Sequence, residues 1–312
     1  MDIRQMRYFV ACVDAGSLSK AALALSISQP SLSQQIAEME SDLGVPLLMR
    51  SYSGVAPTEA GVTLYRHAQS IIKQIAQMRG DVKRGEHALS GQVAVGLPTS
   101  VASVLAVPLF ERMRATYPGI QLQIFESMSG YLNELLANGR LDIAVLFRET
   151  ETRGVSVIPL FNERLAVHGA AWVGNPRAKT VPLELLSGVP IVLPGKSHGL
   201  RLLVERAFDS AGLDLNVVAD IDSLPTMLEI ARRGEAATIL SSYLGRDRAA
   251  KGQGTHKDLL TRFLVKPTLE RSVALCRLNA VPQTAASRAV QDCMQQIVAE
   301  LAPGIDATTN ER

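Results

Sequence analysis

SLSKAALALSISQPSLSQQIAEMESDLGVPLLMR, residues Ser17 to Arg50, is the stretch that decides the N-terminal fold. It divides into two short helices and a tight turn. Ser17 or Ser19 can cap the first helix, which sets Leu18, Ala21, Ala22 and Leu25 on one face. Ser26-Ile27-Ser28 forms the turn. Pro30 falls in the first turn of the next helix, where its missing N–H would be unpaired anyway. That second helix runs to about Leu43, with Leu32, Ile36, Met39 and Leu43 facing inward at spacings of three and four, and Gly44 stops it. Small residues let the two helices pack closely, which is helix-turn-helix chemistry with the second helix as reader.

Working outward, residues 3–15 predict a preceding helix with Ile3, Met6, Phe9, Val10 and Val13 on its buried side, ended by Gly16. Val45 to Ala56 predicts two short strands around Ser53-Gly54, a wing. Pro57-Thr58-Glu59 opens a long helix with Thr58 as cap. Leu64, Ala68, Ile71, Ile75, Met78 and Val82 then alternate spacings of four and three, a heptad seam. From Thr58 to Glu86 this helix would reach about 43 Å at ~1.5 Å per residue. A small domain cannot bury such a seam alone, so the seam is expected to dimerise two chains. Gly85 and Leu89-Ser90-Gly91 end the pattern in a hinge.

The N-terminal motifs Phe9-Val10, Gly16-Ser17, Ala21-Ala22, Ser28-Gln29-Pro30-Ser31-Leu32-Ser33, Ile36, Glu40, Leu43-Gly44, Pro46-Leu47, Arg50 and Pro57-Thr58-Glu59-Ala60-Gly61 are dense and ordered. They resemble the DNA-binding domain of LysR-type transcriptional regulators, nearest the nitrogen assimilation control subgroup. The resemblance resumes at Gly91, Tyr117-Pro118, Leu132, Leu135 and the run Gly139-Arg140-Leu141-Asp142-Ile143-Ala144-Val145. It implies a two-lobed effector domain like that of periplasmic binding proteins, with the chain crossing between lobes near 160–165 and again near 265.

The expected fold class is therefore an α+β winged helix-turn-helix with a long dimerisation helix, joined to an α/β two-lobed periplasmic-binding-protein-like effector domain. The expected divisions are a DNA-binding domain at 1–57, a linker helix and hinge at 58–90, and an effector domain at 91–303. Lobe I would hold 91–163 and 266–303, lobe II 164–265, and 304–312 a tail. Strands and helices alternate from Gln92 onward, as a parallel sheet requires. Predicted strands are Val93–Leu97, Gln121–Phe125, Leu141–Leu146, one near Leu165, Pro190–Leu193, one near Val217 and Ala237–Leu240, with returning strands at Leu264 and Ser272–Cys276. Predicted helices are Ser100–Tyr117, Ser129–Ala137, Leu183–Leu186, Gly199–Gly212, Leu224–Arg233, Ser242–Asp247 and Thr284–Ala302.

The chain of 312 residues is 47% hydrophobic but only 4% aromatic, so its cores are expected to be aliphatic. Cys12, Cys276 and Cys293 have no metal-ligand spacing and are expected as small buried apolar residues. No apolar run of spanning length and no leader pattern stands out, which predicts a cytoplasmic protein with no membrane partner. Residues 1–57 carry four Lys and Arg against five Asp and Glu. A phosphate-binding module is usually basic. Three of those acids, Glu38, Glu40 and Asp42, sit at the far end of the reading helix. Ser51-Tyr52-Ser53 stands where the family is often basic. Backbone N–H groups, hydroxyls and multivalency are expected to supply more of the affinity.

For base contacts the candidates are Gln29, Pro30, Ser31, Ser33, Gln34 and Gln35; Gln bonds bidentately to adenine, Ser serves any base and Pro can press on a thymine methyl. The family's base contacts correspond to Gln29, Pro30, Ser33 and Gln34. Ser17, Lys20 and Arg50 are placed to meet phosphates. Effector candidates follow predicted strand ends, where helix N-termini favour a small anion: Thr99, Ser100, Ser127, Ser129, Phe147, Ser197, His198, Arg201 and Ser223. Of these Thr99, Ser100, Ser127 and Ser197 match ligand positions of the family. Any single serine here reads as a plain helix cap; four converging shift the balance to a site. Arg201 can serve the cleft or pair with Glu205. No hydrolase, phosphate-loop or zinc-protease motif is present, so neither an enzyme nor a cofactor or metal is expected. The expected function is a transcriptional activator or repressor that binds pseudo-palindromic promoter DNA as a homodimer or homotetramer, under a small, anionic effector. Candidate partners are promoter DNA, further copies of the chain, RNA polymerase and that effector. The alternatives are a regulator controlled by its own level without effector, or a solute-binding protein with an accessory DNA-binding domain.

Overall fold

A computed structural model describes residues 1–51, 54–84, 89–148, 154–196, 198–245 and 259–306. The N-terminal part has α1 (Ile3–Ala15), α2 (Leu18–Ala24), α3 (Gln29–Leu43), and the wing strands β1 (Leu48–Ser51) and β2 (Gly54–Pro57), paired antiparallel. Asp2 starts α1 with a capping box: its carboxylate accepts from Gln5 N while the Gln5 amide accepts from Asp2 N. Ser17 caps α2 and Ser28 caps α3. Phe9, Cys12, Ala21, Ala22, Leu32, Ile36, Met39, Leu47, Leu48 and Tyr65 close one aliphatic core. Leu43 and Ile3, expected inside, are 41% and 39% exposed. Each is a terminal residue of its helix, where the covering neighbours run out.

The wing is locked to the head through backbone. Glu40 Oε1 accepts from Leu47 N at 2.7 Å and Leu48 N at 3.1 Å. Val55 N donates to Gly16 O at 2.9 Å, and a Cβ on Gly54 would stand 2.2 Å from that oxygen. α4 (Glu59–Arg84) begins beneath the wing. Thr58 caps it, accepting from Gly61 N and donating to Pro46 O at 2.7 Å.

The rest of the described chain holds β3 (Gly91–Pro98), α5 (Thr99–Thr116), β4 (Ile120–Ser127), α6 (Ser129–Ala137), β5 (Ile143–Phe147), β6 (Val155–His168), β7 (Thr180–Pro182), β8 (Ile191–Leu193), α7 (Gly199–Ser210), β9 (Val217–Asp220), α8 (Leu224–Arg233), β10 (Ala237–Ser241), β11 (Thr261–Val265), β12 (Glu270–Leu278) and α9 (Ala285–Asp306). The helix expected at Leu183–Leu186 has those bounds and is a 3-10 turn, as is Ser242–Gly245; positions 246 and 247 of the second prediction lie outside the described residues. The strand order is β4-β3-β5-β12-β6-β10-β8-β9, with β11 paired to β6 and β7 paired to β11. β3, β4 and β5 run parallel, as do β10, β8 and β9, while β6 and β12 run antiparallel to their neighbours.

Two departures from the expected strands trace to partners distant in sequence. β5 starts at Ile143, not Leu141, because the Asp142 side chain accepts from Ala94 N at 2.8 Å in place of a ladder carbonyl. The strand expected near Leu165 is the end of the 14-residue β6. Its first half is hidden in sequence by Pro159, which sits at a bulge between Val273 and Ala274 of the partner strand. Residues Val155–Arg164 of β6 pair with β12, and Leu165–His168 pair with β10. Two aliphatic cores flank this ribbon, one built around Val95, Leu109, Val145 and Val290, the other around Val167, Ile191, Phe208 and Ile239.

Candidate DNA-reading head and effector cleft

On α3, Gln29, Pro30, Ser31 and Gln34 are exposed and Ser33 is half-buried, so the predicted readers share the open side of the helix. Arg50 of the wing donates to Ser33 Oγ at 3.1 Å, which joins wing and reader. Lys20 is exposed at the start of α2, and its backbone N–H donates to Ser17 Oγ. Glu38 gathers two glutamine amides from the preceding turn: Gln34 Nε2 at 3.1 Å and Gln35 Nε2 at 2.8 Å. Gln34 keeps its carbonyl oxygen for an outside donor. Gln35 has its oxygen within 3.5 Å of Gln5 Nε2 as well, so it is held at both ends. Glu40, one of the three acids expected at the far end of the reading helix, is the internal anchor of the wing. Its place seven residues before Leu47 was the available signal.

Along α4 the seam divides. Ala68 is wholly buried within a single chain and Leu64 packs partly on the head core, which departs from a seam that waits entirely for a partner. The physical reason is that α1 lies along the first turns of α4: Tyr65 OH donates to Asp14 Oδ1, and Gln69 Nε2 donates to Tyr65 OH at 2.7 Å. Burial, then the Asp14 carboxylate, pushes the Tyr65 phenol far above its ordinary value. Beyond this point Ile71 and Ile75 are half-buried and Met78 is 56% exposed. The side chain of Val82 lies outside the described ones. Arg66 and Gln69 also lie against Gly139 in the turn after α6, where the positive φ of +71° admits glycine readily.

The effector candidates behave differently from the caps they resemble. Thr99, Ser129 and Ser223 make no side-chain cap: the capping position of α5 is Pro98, that of α6 is Met128, and Ser223 Oγ instead meets Thr226 Oγ1 at 2.8 Å. His198 is the cap of α7, its Nδ1 accepting from Leu200 N at 3.1 Å. Burial, then repulsion from Arg271, lowers its pKa to about 4, with Asp222 opposing. The ring is therefore neutral at pH 7, Nδ1 being the acceptor and Nε2 carrying the proton. Of the two roles expected of Arg201, the structure has the pairing with Glu205. Arg201 is buried, and it donates to Glu205 at 2.6 Å, Asp220 at 2.8 Å and Pro194 O at 3.3 Å, so its charge is engaged within its own lobe. Ser197 lies outside the described residues. Ser127 stands beside Pro98 at the shared end of β3 and β4, next to Thr99.

Sequence reasoning missed the centre. Glu163 of β6 and Arg271 of β12 are direct cross-strand partners. Glu163 is fully buried and accepts from Arg271 Nε with one oxygen and from Tyr243 OH with the other. The Arg271 guanidinium lies 3.4 Å from the centroid of Phe147 at the end of β5. Burial raises the Tyr243 phenol well above its usual value; Glu163 adds to this, and the nearby Ser241 and Ser100 oppose it. Ser100, Phe147 and His198 are thus brought around one ion pair. In sequence Glu163 and Arg271 stand among other strand charges, Arg164, Glu270 and Arg277, so neither was set apart.

Comparison with known proteins follows the same outline. Residues 3–62 match the family model described as "Bacterial regulatory helix-turn-helix protein, lysR family", and residues 86–299 match "LysR substrate binding domain". The nitrogen assimilation regulatory protein nac of Escherichia coli (strain K12) is 33% identical over 302 residues, covering 96% of this chain and 95% of that one. The protein of the same name from Klebsiella aerogenes is 32% identical over the same shares. Among solved structures, a full-length OxyR from Pseudomonas aeruginosa, carrying one cysteine-to-aspartate substitution, superposes with a TM-score of 0.73 at 23% identity, over 96% of this chain and 97% of that one. Full-length CbnR in complex with its target DNA gives 0.54 at 21%, over 96% and 100%. Both likenesses are of fold.

Proposed function

The chain belongs to the LysR family of bacterial transcriptional regulators, and on that premise we propose how its own residues carry out regulation. Gln29, Pro30, Ser31, Ser33 and Gln34 of α3 meet base edges in the major groove, while Arg50, Lys20 and Ser17 meet phosphates. The single observation that supports this most is the exposed polar row on α3 with Arg50 bonded to Ser33 at its side. The open half of α4, from Ile71 to Met78, pairs two chains and sets two heads at a fixed span, so the operator is pseudo-palindromic. The edge strands β4 and β9 lie at opposite ends of the sheet. Phe125 and Val218 on them, with Phe110 of α5 and Leu202 of α7, expose large apolar groups suited to a tetramer. Residues 1–57 form the head, 58–90 the linker and 91–303 the effector domain, with lobes meeting along β6 and β12.

The effector is a small anion held in the cleft beside Arg271, with Ser100, Thr99, Ser127 and His198 within the same mouth. It changes the relative placement of the heads and so the bend of the DNA. The protein catalyses no reaction and works in the cytoplasm, where its promoters are; no described helix is long and apolar enough to cross a membrane. Thiol sensing is not its signal, because Cys12, Cys276 and Cys293 are buried and burial pushes the first two up to about 11.

Genomic footprinting with the purified chain tests the proposal. Two protected half-sites about 10 base pairs apart, or a multiple of that, are expected. Folded protein that protects no defined sequence would overturn it.

A further inference from the structure

We infer that Glu163 is a resident anion: its carboxylate fills the seat on Arg271 that an effector's acid group would take, and it ties the two sides of the cleft together with no added compound. The inference rests on the cleft proposed above as the regulatory site.

Three observations carry it. First, the seat is used as a ligand would use it. One Glu163 oxygen accepts from the Arg271 guanidinium and the other from the Tyr243 phenol, and the residue has no exposed surface. Second, the groups around it come from both sides. Phe147 on β5 covers Arg271, and Ser100 opens α5, all beside one core. Ser241 ends β10, Tyr243 follows it, and His198 caps α7, beside the other. Glu163 itself sits on β6 just before that strand passes from one core to the other. Third, Arg271 is not used up: its Nη1 is buried and has no hydrogen-bond partner. A buried guanidinium with a vacant donor still favours a carboxylate. An outside acid therefore competes with an internal one for the same cation. Since Glu163 is tethered directly opposite Arg271, its effective concentration far exceeds that of a free acid.

Glu163→Ala removes a CH2–COO⁻ group, the skeleton of acetate, so acetate is the probe. Full-length protein and variant are compared at constant pH and ionic strength, in sodium acetate against sodium chloride up to about 50 mM, where surface charges are still only partly screened, reading the thermal midpoint and the operator footprint. Wild type is expected to respond equally to both salts. The variant is expected to melt lower, to change its footprint, and to recover at least half of each loss in acetate along a saturating curve. Equal behaviour of the variant in acetate and chloride overturns the inference, as does an acetate response of wild type as large as that of the variant. Should Glu163→Ala fail to fold, Glu163→Gln keeps the shape without the charge. An altered footprint for that variant supports the inference and an unaltered one overturns it. Loss of specific protection by wild type itself would instead strike the regulator proposal, so the two failures are separable.

Discussion

Gly61 stands in the first turn of α4 with Leu47 O so close that an added Cβ would lie 2.1 Å from that oxygen and 3.2 Å from Pro57 Cβ. Carbon–oxygen contacts settle at about 3.3 Å, so Gly61→Ala must part helix and wing by roughly 1 Å. The bonds that clasp them, Thr58 N to Leu47 O at 3.0 Å and Thr58 Oγ1 to Pro46 O at 2.7 Å, would stretch. Overpacking costs about 1–3 kcal/mol, and two weakened hydrogen bonds add roughly 0.5–1.5 kcal/mol each. Alanine returns about 1 kcal/mol of helix propensity. The net loss is about 3 kcal/mol, and at roughly 4–8 °C per kcal/mol for a unit of this size the head should melt about 12–24 °C lower. The assay is circular dichroism melting of the full chain, with the footprint read in parallel. Gly130, in the first turn of α6, is the internal control: nothing lies within 4 Å of its added Cβ. Gly130→Ala should be neutral or stabilise by up to about 1 kcal/mol. If Gly61→Ala melted with wild type while the control also did, the close approach of helix and wing would carry no weight in this fold.

Four further outcomes are expected. Glu40→Ala leaves Leu47 N and Leu48 N without their acceptor and should lower head stability by about 2 kcal/mol, seen as faster amide exchange in β1. Ile71→Glu with Ile75→Glu should leave a folded monomer in sedimentation equilibrium, since both side chains lie past the part of α4 that the head covers. Arg50→Ala should weaken binding across sequences and lower the slope of log affinity against log salt by about 1. The last concerns pH. His168 is fully buried, Nε2 donating to Ser241 O and Nδ1 accepting from Thr261, and burial lowers its pKa to about 4. Below its unfolded pKa of about 6.5 the unfolded chain takes up a proton that the folded chain refuses. Stability is thus complete above about pH 6.5 and falls as pH drops toward 4, by up to about 3 kcal/mol. His198 tilts the curve the same way. His168→Gln should flatten the difference between midpoints at about pH 5 and about pH 7.5, on either side of that unfolded pKa; an unchanged difference would refute the assignment.

The head was legible because its signals are local. Gly16, Pro30 and Gly44 fix helix ends through their own backbone and Ser28 through its hydroxyl, which accepts from Ser31 N three residues on, and the structure has those ends. The alternation of strand and helix gave most of the remaining elements for the same reason. What escaped was set by distant partners. Pro159 hid a strand whose register depends on a partner strand more than a hundred residues away. Glu205 one turn on was a visible partner for Arg201, but Asp220 comes beside it only after β9 has folded back. Glu163 and Arg271 are 108 positions apart, and nothing near either announces the other. Ala68 kept the period of a dimer seam yet is covered by its own chain, since periodicity shows which residues share a face and not which neighbour covers it.

The two long antiparallel strands have a mechanical consequence. Because β6 and β12 run from one core toward the other in nine paired positions, the lobes are joined by a stiff ribbon and not by a loose string. Such a ribbon resists stretching and shear but yields to torsion, most easily where the ladder slips at Val273 and Ala274. The motion it permits is a small twist with elastic return, so the resting arrangement is restored as soon as whatever imposed the twist departs.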